Sequence, residues 1–339
     1  MITLEHVSRS FSSGTDVVRA VDDVSLEVAP GELCVLIGPS GSGKTTTMRM
    51  INRLDAPTEG KIIVNGRDIS TVNDVELRRG IGYVIQQGGL LPHITVADNV
   101  SIVPRLMRKP KKQRRERAEE LLALVGLPPK QFANRYPRQL SGGQQQRVGV
   151  ARALASDPPI ILMDEPFGAV DPITRKQLQF ELRRIQSEVK KTIVFVTHDI
   201  AEAFVLGDRI VLMLDGRIVQ DGTPADLLRR PANDFVTSFI GEDRVLRTWQ
   251  YTTLAEIARP AAGAPPAGGQ ILRSDLTVFE GLQSLASNGQ ADGDGMWVSD
   301  AEGKPSGYLT YNDLVGVMSA TMAEGPATNE GMAHALPPQ

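Results

Sequence analysis

Short runs of apolar residues recur through the first two thirds of the chain. The clearest are residues 33–37, 160–163 and 192–197, and glycine or polar side chains follow each run. Runs of this length are typical of parallel strands that are buried on both faces of a sheet. Residues 2–7 instead alternate apolar and polar positions, which predicts a half-buried strand. The pattern therefore predicts an α/β fold that contains both kinds of strand.

Helical spacing appears between these strands. Met48, Ile51 and Leu54 recur three residues apart, which predicts a helix over residues 45–54. Residues 95–125 predict helices that join near residues 109–110, and a further helix is predicted from Ser141 to about Leu154. Other strand-like stretches lie at residues 17–18, 24–28, 61–64 and 81–86.

The chain changes character after residue 241. Residues 258–269 are rich in proline, glycine and alanine, which predicts a flexible loop. Beyond the loop, the pattern predicts a helix over 276–285, strands over 295–298 and 308–310, and a helix over 312–317. The last twenty or so residues are small and polar, which predicts disorder.

The charge distribution breaks at the same point. The net charge is −3, but residues 1–241 hold 32 lysines and arginines against 28 acidic residues, whereas residues 242–339 hold 5 against 12. We therefore expect one domain over 1–241 and a second region over 242–339. Neither part is basic enough to indicate a nucleic-acid partner.

Cys34 is the only cysteine, so no disulfide can form within the chain, which suits a reducing cytoplasm. The start of the chain does not have the pattern of a signal peptide. No run of eighteen apolar residues occurs, so we expect any membrane role to be peripheral.

The first candidate for chemistry is the segment that joins the strand at 33–37 to the helix after it. It fits the phosphate-binding loop G-x-x-x-x-G-K-[ST], in which backbone N–H groups and a helix start face phosphate oxygens. Lys44 can reach the β- and γ-phosphates, and the Thr45 hydroxyl can ligate Mg²⁺. The predicted nucleotide-binding residues here are Gly38, Pro39, Ser40, Gly41, Ser42, Gly43, Lys44, Thr45 and Thr46.

Polar residues follow three other predicted strands. Asp164 and Glu165 follow the run at 160–163, and we expect Asp164 to hold Mg²⁺ and Glu165 to orient or deprotonate the attacking water. Gln86 ends the strand at 81–86 and is placed for metal or water, although a solvated loop amide fits its position equally well. His198 could donate to the γ-phosphate, although a lone histidine there is more often a structural cap.

Two further features lie outside this group. Phe11 falls in a Ser/Gly-rich loop, where it could stack on a nucleotide base or pack on its neighbours. Ser141 is a good N-cap for the helix that begins at Gly142-Gly143-Gln144, so this helix start could meet a second anion. One nucleotide does not need two phosphate-facing helix starts from one chain, unless a second copy supplies the other.

With these residues in place, residues 1 to about 241 resemble an ATP-binding cassette (ABC) ATPase. The resemblance rests on the phosphate loop, Gln86, the signature Leu140-Ser141-Gly142-Gly143-Gln144, Asp164-Glu165, Asp171 in the D-loop and His198. It implies a P-loop NTPase domain with a RecA-like core, an antiparallel β subdomain and a helical signature subdomain. It also implies that two ATP molecules, with Mg²⁺, lie in a head-to-tail homodimer, and that Phe11 stacks on adenine.

A narrower resemblance is to bacterial importers of osmoprotectants and quaternary amines such as glycine betaine, choline, carnitine and proline betaine. Residues 87–93 after Gln86 are similar to the importer segment that meets the permease. The resemblance implies integral-membrane permease subunits, an extracytoplasmic solute-binding protein, and a peripheral location on the cytoplasmic face of the membrane. It implies no nucleic-acid partner.

Residues 251–319 resemble a single CBS regulatory unit of α+β type, whereas such importers usually carry two in tandem. The tail could sense ionic strength or nucleotide, or it could be a dimer-packing module. Three other activities stay open: an amino-acid or other small-solute importer ATPase, an exporter, and a nucleotide-sensing regulatory ATPase. A cassette that acts on DNA or ribosomes is disfavoured, because residues 46–139 are too short for the coiled-coil insertion such proteins carry.

Overall fold

A computed structural model describes residues 2–13, 16–85, 89–168, 170–241, 244–260, 271–288, 296–300, 303–310 and 313. The chain divides into two compact units, Met1–Thr223 and Pro224–Gln339. This division lies before the change in composition at 241, and the functional boundary at 241 stays a prediction. No helix in the described ranges is long and apolar enough to cross a bilayer.

The strands of the first unit form two sheets. They are β1 (Ile2–Ser13), β2 (Asp16–Val28), β3 (Leu33–Ile37), β4 (Glu59–Val64), β5 (Arg67–Asp68), β6 (Ile81–Val84), β7 (Ile160–Asp164), β8 (Thr192–Val196), β9 (Arg209–Leu214) and β10 (Arg217–Gly222). Its helices are α1 (Lys44–Ile51), α2 (Asp74–Arg79), α3 (Val96–Val100), α4 (Ile102–Leu106), α5 (Lys111–Leu124), α6 (Pro129–Phe132), α7 (Gly142–Leu154), α8 (Pro172–Val189) and α9 (Ile200–Leu206).

The larger sheet has the order β10-β9-β3-β8-β7-β6. Its strands are parallel except at the β9–β10 pair. Every residue of β3, β7 and β8 is buried, which confirms the prediction from their uninterrupted apolar runs. Because these strands are parallel, the segments that follow them emerge at one edge of the sheet, where ligands bind in such folds.

The smaller sheet is antiparallel, in the order β2-β1-β4-β5. Residues 17–18 and 24–28, predicted as separate patches, belong to the single strand β2. Phe11, predicted in a loop, lies in β1 opposite Val18. The loop predicted from the Ser/Gly-rich sequence is wrong, because β1 and β2 remain paired as far as Ser13 and Asp16. Helix α1 ends at Ile51 with Asn52 as its C-cap, so Leu54 lies beyond it.

The second unit contains a four-stranded sheet of its own, in the order β11-β14-β13-β12. Its elements are α10 (Pro224–Arg229), α11 (Asp234–Ile240), α12 (Arg244–Tyr251), α13 (Leu254–Ile257), β11 (Arg259–Pro260), β12 (Ile271–Arg273), α14 (Val278–Asn288), β13 (Met296–Ser299) and β14 (Pro305–Leu309). Its apolar core gathers Trp249, Leu254, Leu272, Val278, Met296, Val298 and Leu309.

The predicted strands and first helix of the tail are confirmed by β13, β14 and α14. The loop expected over 258–269 is partly wrong, because Arg259 and Pro260 pair with β14. The remainder of that loop, most of the helix expected over 312–317 and the last twenty residues lie outside the described residues.

The fully buried side chains of β3 make a direct test of this core. Leu36 has no exposed surface, so Leu36→Ala should lower the free energy of unfolding by about 3 kcal/mol through lost burial and a residual cavity. Urea denaturation followed by circular dichroism measures the change. Leu106→Ala, at a side chain that is 63% exposed, is the matched control. Equal losses in the two variants would contradict the buried position of β3.

Candidate functional site

The loop after β3 is shaped by glycines with positive φ. Gly38 and Gly43 have φ values of 144° and 99°, a region that side chains with a Cβ rarely adopt. A Cβ at Gly38 would lie 2.1 Å from the carbonyl oxygen of Met213, and one at Gly43 would lie 2.5 Å from that of Ala20. The loop therefore packs its backbone against neighbouring backbone, and only glycine fits at these two positions.

Lys44, the first residue of α1, is buried within this loop. Its Nζ donates to the carbonyl oxygens of Gly38 and Pro39 at 2.8 Å each and to Ser42 Oγ at 3.2 Å. Burial lowers the pKa of the ammonium, and the charges of Glu165 and Asp164 oppose that shift. A cation held by the carbonyls of a phosphate-binding loop is a suitable partner for an anion.

Thr45 and Asp164 are brought together from α1 and the end of β7. The Thr45 hydroxyl donates to Asp164 Oδ1 at 2.9 Å. Burial raises the pKa of Asp164, and the hydrogen bond from Thr45 opposes that shift. A hydroxyl and a carboxylate this close are the oxygen ligands that Mg²⁺ takes together with substrate phosphates, so the pair fits that cation. Gln86, the third predicted ligand, lies outside the described residues.

Glu165 follows directly and turns toward the end of β8. Its backbone has φ 41°, and its N–H donates to the carbonyl oxygen of Val196 at 2.9 Å. The turn brings Glu165 Oε2 to 3.1 Å from His198 Nδ1. His198 is largely exposed, with 61% of its side-chain surface accessible, whereas Glu165 is 19% accessible. A carboxylate next to an accessible imidazole can exchange a proton with a water or phosphate at this edge.

The second predicted helix start has the expected cap. Ser141 accepts from the Gln144 N–H at 3.3 Å, and the Ser141 N–H donates to Gln144 Oε1 at 3.0 Å. This reciprocal pair is a capping box, which confirms Ser141 as the N-cap of α7. Gly142 and Gly143 form its first turn. Helix α7 packs against α3, α5, α8 and β6, whereas α1 packs against β2, β4, β7 and β8.

The remaining predicted residues fall in two places. Ser40 and Gly41 lie in the exposed part of the phosphate-binding loop, and Thr46 is half-buried in the first turn of α1. Phe11 is 38% exposed, and the guanidinium carbon of Arg9 lies 4.5 Å from its ring centroid. The Arg9 cation therefore covers one face of the ring.

Sequence reasoning missed a buried polar cluster behind His198. Its members are Thr197 and Glu202, which are 2% and 3% exposed, and Arg175 on α8. The Thr197 hydroxyl donates to Glu202 Oε2 at 2.6 Å. The sequence contained a signal for this cluster. An aspartate followed three residues later by a glutamate, here Asp199 and Glu202, is a helix-start pattern, and Asp199 caps α9 in the structure.

Known proteins are similar to this chain. The protein family described as "ABC transporter" matches residues 21–168. A choline transport ATP-binding protein of Bacillus subtilis is 57% identical over 73% of this chain, and the match spans 64% of that relative, which is under two thirds of its length. A glycine betaine uptake system ATP-binding protein of Escherichia coli is 44% identical over 93% of this chain and 99% of its own length.

A solved structure is also similar. It is a dimeric post-hydrolysis state of the ATP-binding cassette MJ0796 bound to ADP and Pi. It superposes with a TM-score of 0.60 at 40% identity, covering 66% of this chain and 98% of that one.

Glu202 gives a test of the electrostatics near the site. Burial raises the pKa of its carboxyl, so ionising it in the folded chain costs stability as pH rises from the ordinary value through the raised one. Glu202→Gln keeps an acceptor for Thr197 and should unfold at higher urea at pH 7. The gain should disappear below the ordinary glutamate pKa of about 4.3.

Asp68 is a control of opposite sign, because hydrogen bonds from Ser70 lower the pKa of its carboxyl. Asp68→Asn should therefore lose stability at pH 7 and match the parent in acid. Urea midpoints measured from pH 3 to pH 8 give both profiles. A Glu202→Gln variant that is less stable than the parent at pH 7 would contradict the raised pKa of Glu202.

Proposed function

The chain belongs to the ABC transporter family of ATPases, and from that premise we propose that it is the ATP-hydrolysing subunit of an osmoprotectant importer. The proposed cargo is a quaternary amine or related solute such as glycine betaine, choline, carnitine or proline. Support comes from the choline and glycine betaine relatives, which are 57% identical over 248 residues and 44% identical over 316 residues. An amino-acid or other small-solute importer would share the same ATPase core.

The observation that carries the ATPase proposal is the contact of Glu165 with His198 beside the Thr45–Asp164 pair. We assign residues 38–46 to the phosphates of ATP, with Lys44 Nζ and the backbone N–H groups of the loop, which Pro39 lacks, as donors. Thr45, Asp164 and Gln86 are the proposed ligands of Mg²⁺. When bound, the cation neutralises charge on the phosphate oxygens.

Glu165 orients the attacking water and accepts its proton as the oxygen bonds to the γ-phosphorus. The bond between the γ-phosphorus and the bridging oxygen of the leaving ADP breaks in the same displacement. His198 donates a hydrogen bond to the γ-phosphate and lies 3.1 Å from Glu165, close enough to hold the carboxylate in place. Accessibility of the His198 ring supports its assignment to the substrate rather than to the core.

The second helix start supports a homodimer. Ser141 caps α7, which begins at Gly142, Gly143 and Gln144 and packs against other elements than α1 does. We assign them to the ATP that is held by a second copy, in a head-to-tail pair that encloses two nucleotides. The dimeric state of the solved cassette is consistent with this assembly. The ring of Phe11, with Arg9 on one face, is the proposed contact for adenine.

The proposed partners are integral-membrane permease subunits and an extracytoplasmic solute-binding protein, which would hold this chain at the cytoplasmic face of the membrane. The second region, including the strands β12, β13 and β14, is proposed to be a CBS-like regulatory unit. Either it senses ionic strength or nucleotide, or it packs one copy against the other.

Glu165→Gln tests the assignment of the general base. The variant should bind ATP with the parent's affinity and lower the turnover number by at least about 10²-fold, because the amide cannot accept a proton. It should also accumulate as an ATP-bound dimer. Steady-state phosphate release and the mass measured by light scattering with ATP report the two effects.

The matched control is Glu181→Gln, at an acidic residue of α8 that pairs with Arg184 at 2.7 Å. It should turn over like the parent. If Glu165→Gln does the same, then Glu165 is not the general base.

The dependence of ATP hydrolysis on added solute tests the proposed cargo. The chain, purified with its permease and reconstituted in lipid with a solute-binding protein, should hydrolyse ATP faster when glycine betaine or choline is added. An ionic-strength series in the same assay tests the regulatory role of the second region. Stimulation by an amino acid alone would replace the quaternary-amine assignment and leave the ATPase assignment standing.

A further inference from the structure

The two neighbours of His198 in sequence are both fixed to the polar cluster behind it. Thr197 Oγ1 donates to Glu202 Oε2 at 2.6 Å and accepts from the Asp199 N–H at 3.0 Å. Asp199 Oδ1 accepts from the N–H groups of Ala201 and Glu202 at 2.8 and 3.3 Å. The backbone that carries the histidine is therefore anchored to the start of α9 on either side of the ring.

Arg175 connects this anchor to the loop that carries Glu165. Its Nη1 lies 3.2 Å from Asp199 Oδ2, and its Nε lies 3.6 Å from Glu202 Oε1. On the other side, its Nη2 donates to the carbonyl oxygen of Val170 at 3.1 Å. Val170 belongs to the turn that follows Glu165 and is itself buried. One guanidinium thus spans the two loops that supply the catalytic pair.

The charges make this connection specific to arginine. The Arg175 cation faces two carboxylates, Asp199 and the buried Glu202, and a buried carboxylate without its partner is strongly destabilising. The planar fork can serve the carboxylates and the Val170 carbonyl at once, whereas a lysine ammonium is a single point charge on a flexible stem. Loss of the guanidinium would release both loops at the same time.

We propose that Arg175 is a positioning residue, which holds the loop of Glu165 and the loop of His198 in the register that lets them act together on the γ-phosphate. Since it rests on the proposed ATPase function, the inference concerns how that site is held and not what it binds. Arg175 itself is assigned no contact with nucleotide. Its effect is expected in the chemical step and not in the binding of ATP.

The experiment compares Arg175→Gln and Arg175→Lys with the parent, all as full-length chains. Arg175→Gln should lower kcat on the order of 10²-fold, the size expected when a catalytic group is misplaced, with the KM for ATP changed less than about twofold. Arg175→Lys, which keeps the charge, should recover part of kcat. Arg183→Gln on the same helix, at a residue that pairs with Asp208, is the matched control and should retain the parent's kcat.

A second readout distinguishes positioning from a loss of folding. The chain has four histidines, so the side-chain ¹⁵N resonances of a histidine-labelled sample can be assigned by single substitutions. The His198 resonances should move in Arg175→Gln and stay in Arg183→Gln. The resonances of His6, which contacts Asp23 at 2.8 Å, should stay in both.

The inference is overturned if Arg175→Gln keeps the parent's kcat, or if kcat falls while the His198 resonances do not move. It is also overturned if kcat and the KM for ATP worsen by the same factor, since that would indicate a general loss of the nucleotide site. A parent chain without ATPase activity would refute the proposed function instead, and the resonances would still test the positioning of His198.

Discussion

The parallel hydrogen-bond ladder of β3, β8 and β7 is the constraint on which the candidate site depends. Leu36 pairs with Val196, and Asp164 also pairs with Val196, so the ends of the three strands lie level with one another. A shift of one residue in either pairing would move the segments beyond the strands by about 3.3 Å and turn their side chains to the other face. The ladder is therefore what converts three separate segments into one site.

The same edge of the sheet collects groups that are costly to bury. Burial lowers the pKa of Lys44 and raises that of Asp164, so each group would be easier to accommodate without its charge. Hydrogen bonds to the loop carbonyls and from Thr45 offset part of that cost. A site that tolerates buried charge in this way is already arranged for the phosphates and the Mg²⁺ that we propose it binds. The burial of the apolar strands β3, β7 and β8 stabilises the fold and offsets the cost of these buried charges.

Much of this arrangement could be predicted from the sequence because its signals are local. The apolar runs of β3, β7 and β8, the glycines before Lys44 and the cap at Ser141 each depend on a few neighbouring residues. Phe11 could not be placed, because its strand continues through polar residues only by pairing with β2. The role of Arg175 was not visible either, since its partners Val170 and Asp199 come from two different loops. Features that depend on neighbouring residues could be predicted from the sequence, whereas contacts made by the tertiary fold could not.

The aromatic content of the two units has an optical consequence. Both tryptophans of the chain, Trp249 and Trp297, belong to the second unit, where they are buried. The unit that holds the phosphate-binding loop has no tryptophan, so the tryptophan emission of the protein arises from the C-terminal unit. Any change in that emission on adding a nucleotide would report, without a label, a response that has reached the second unit.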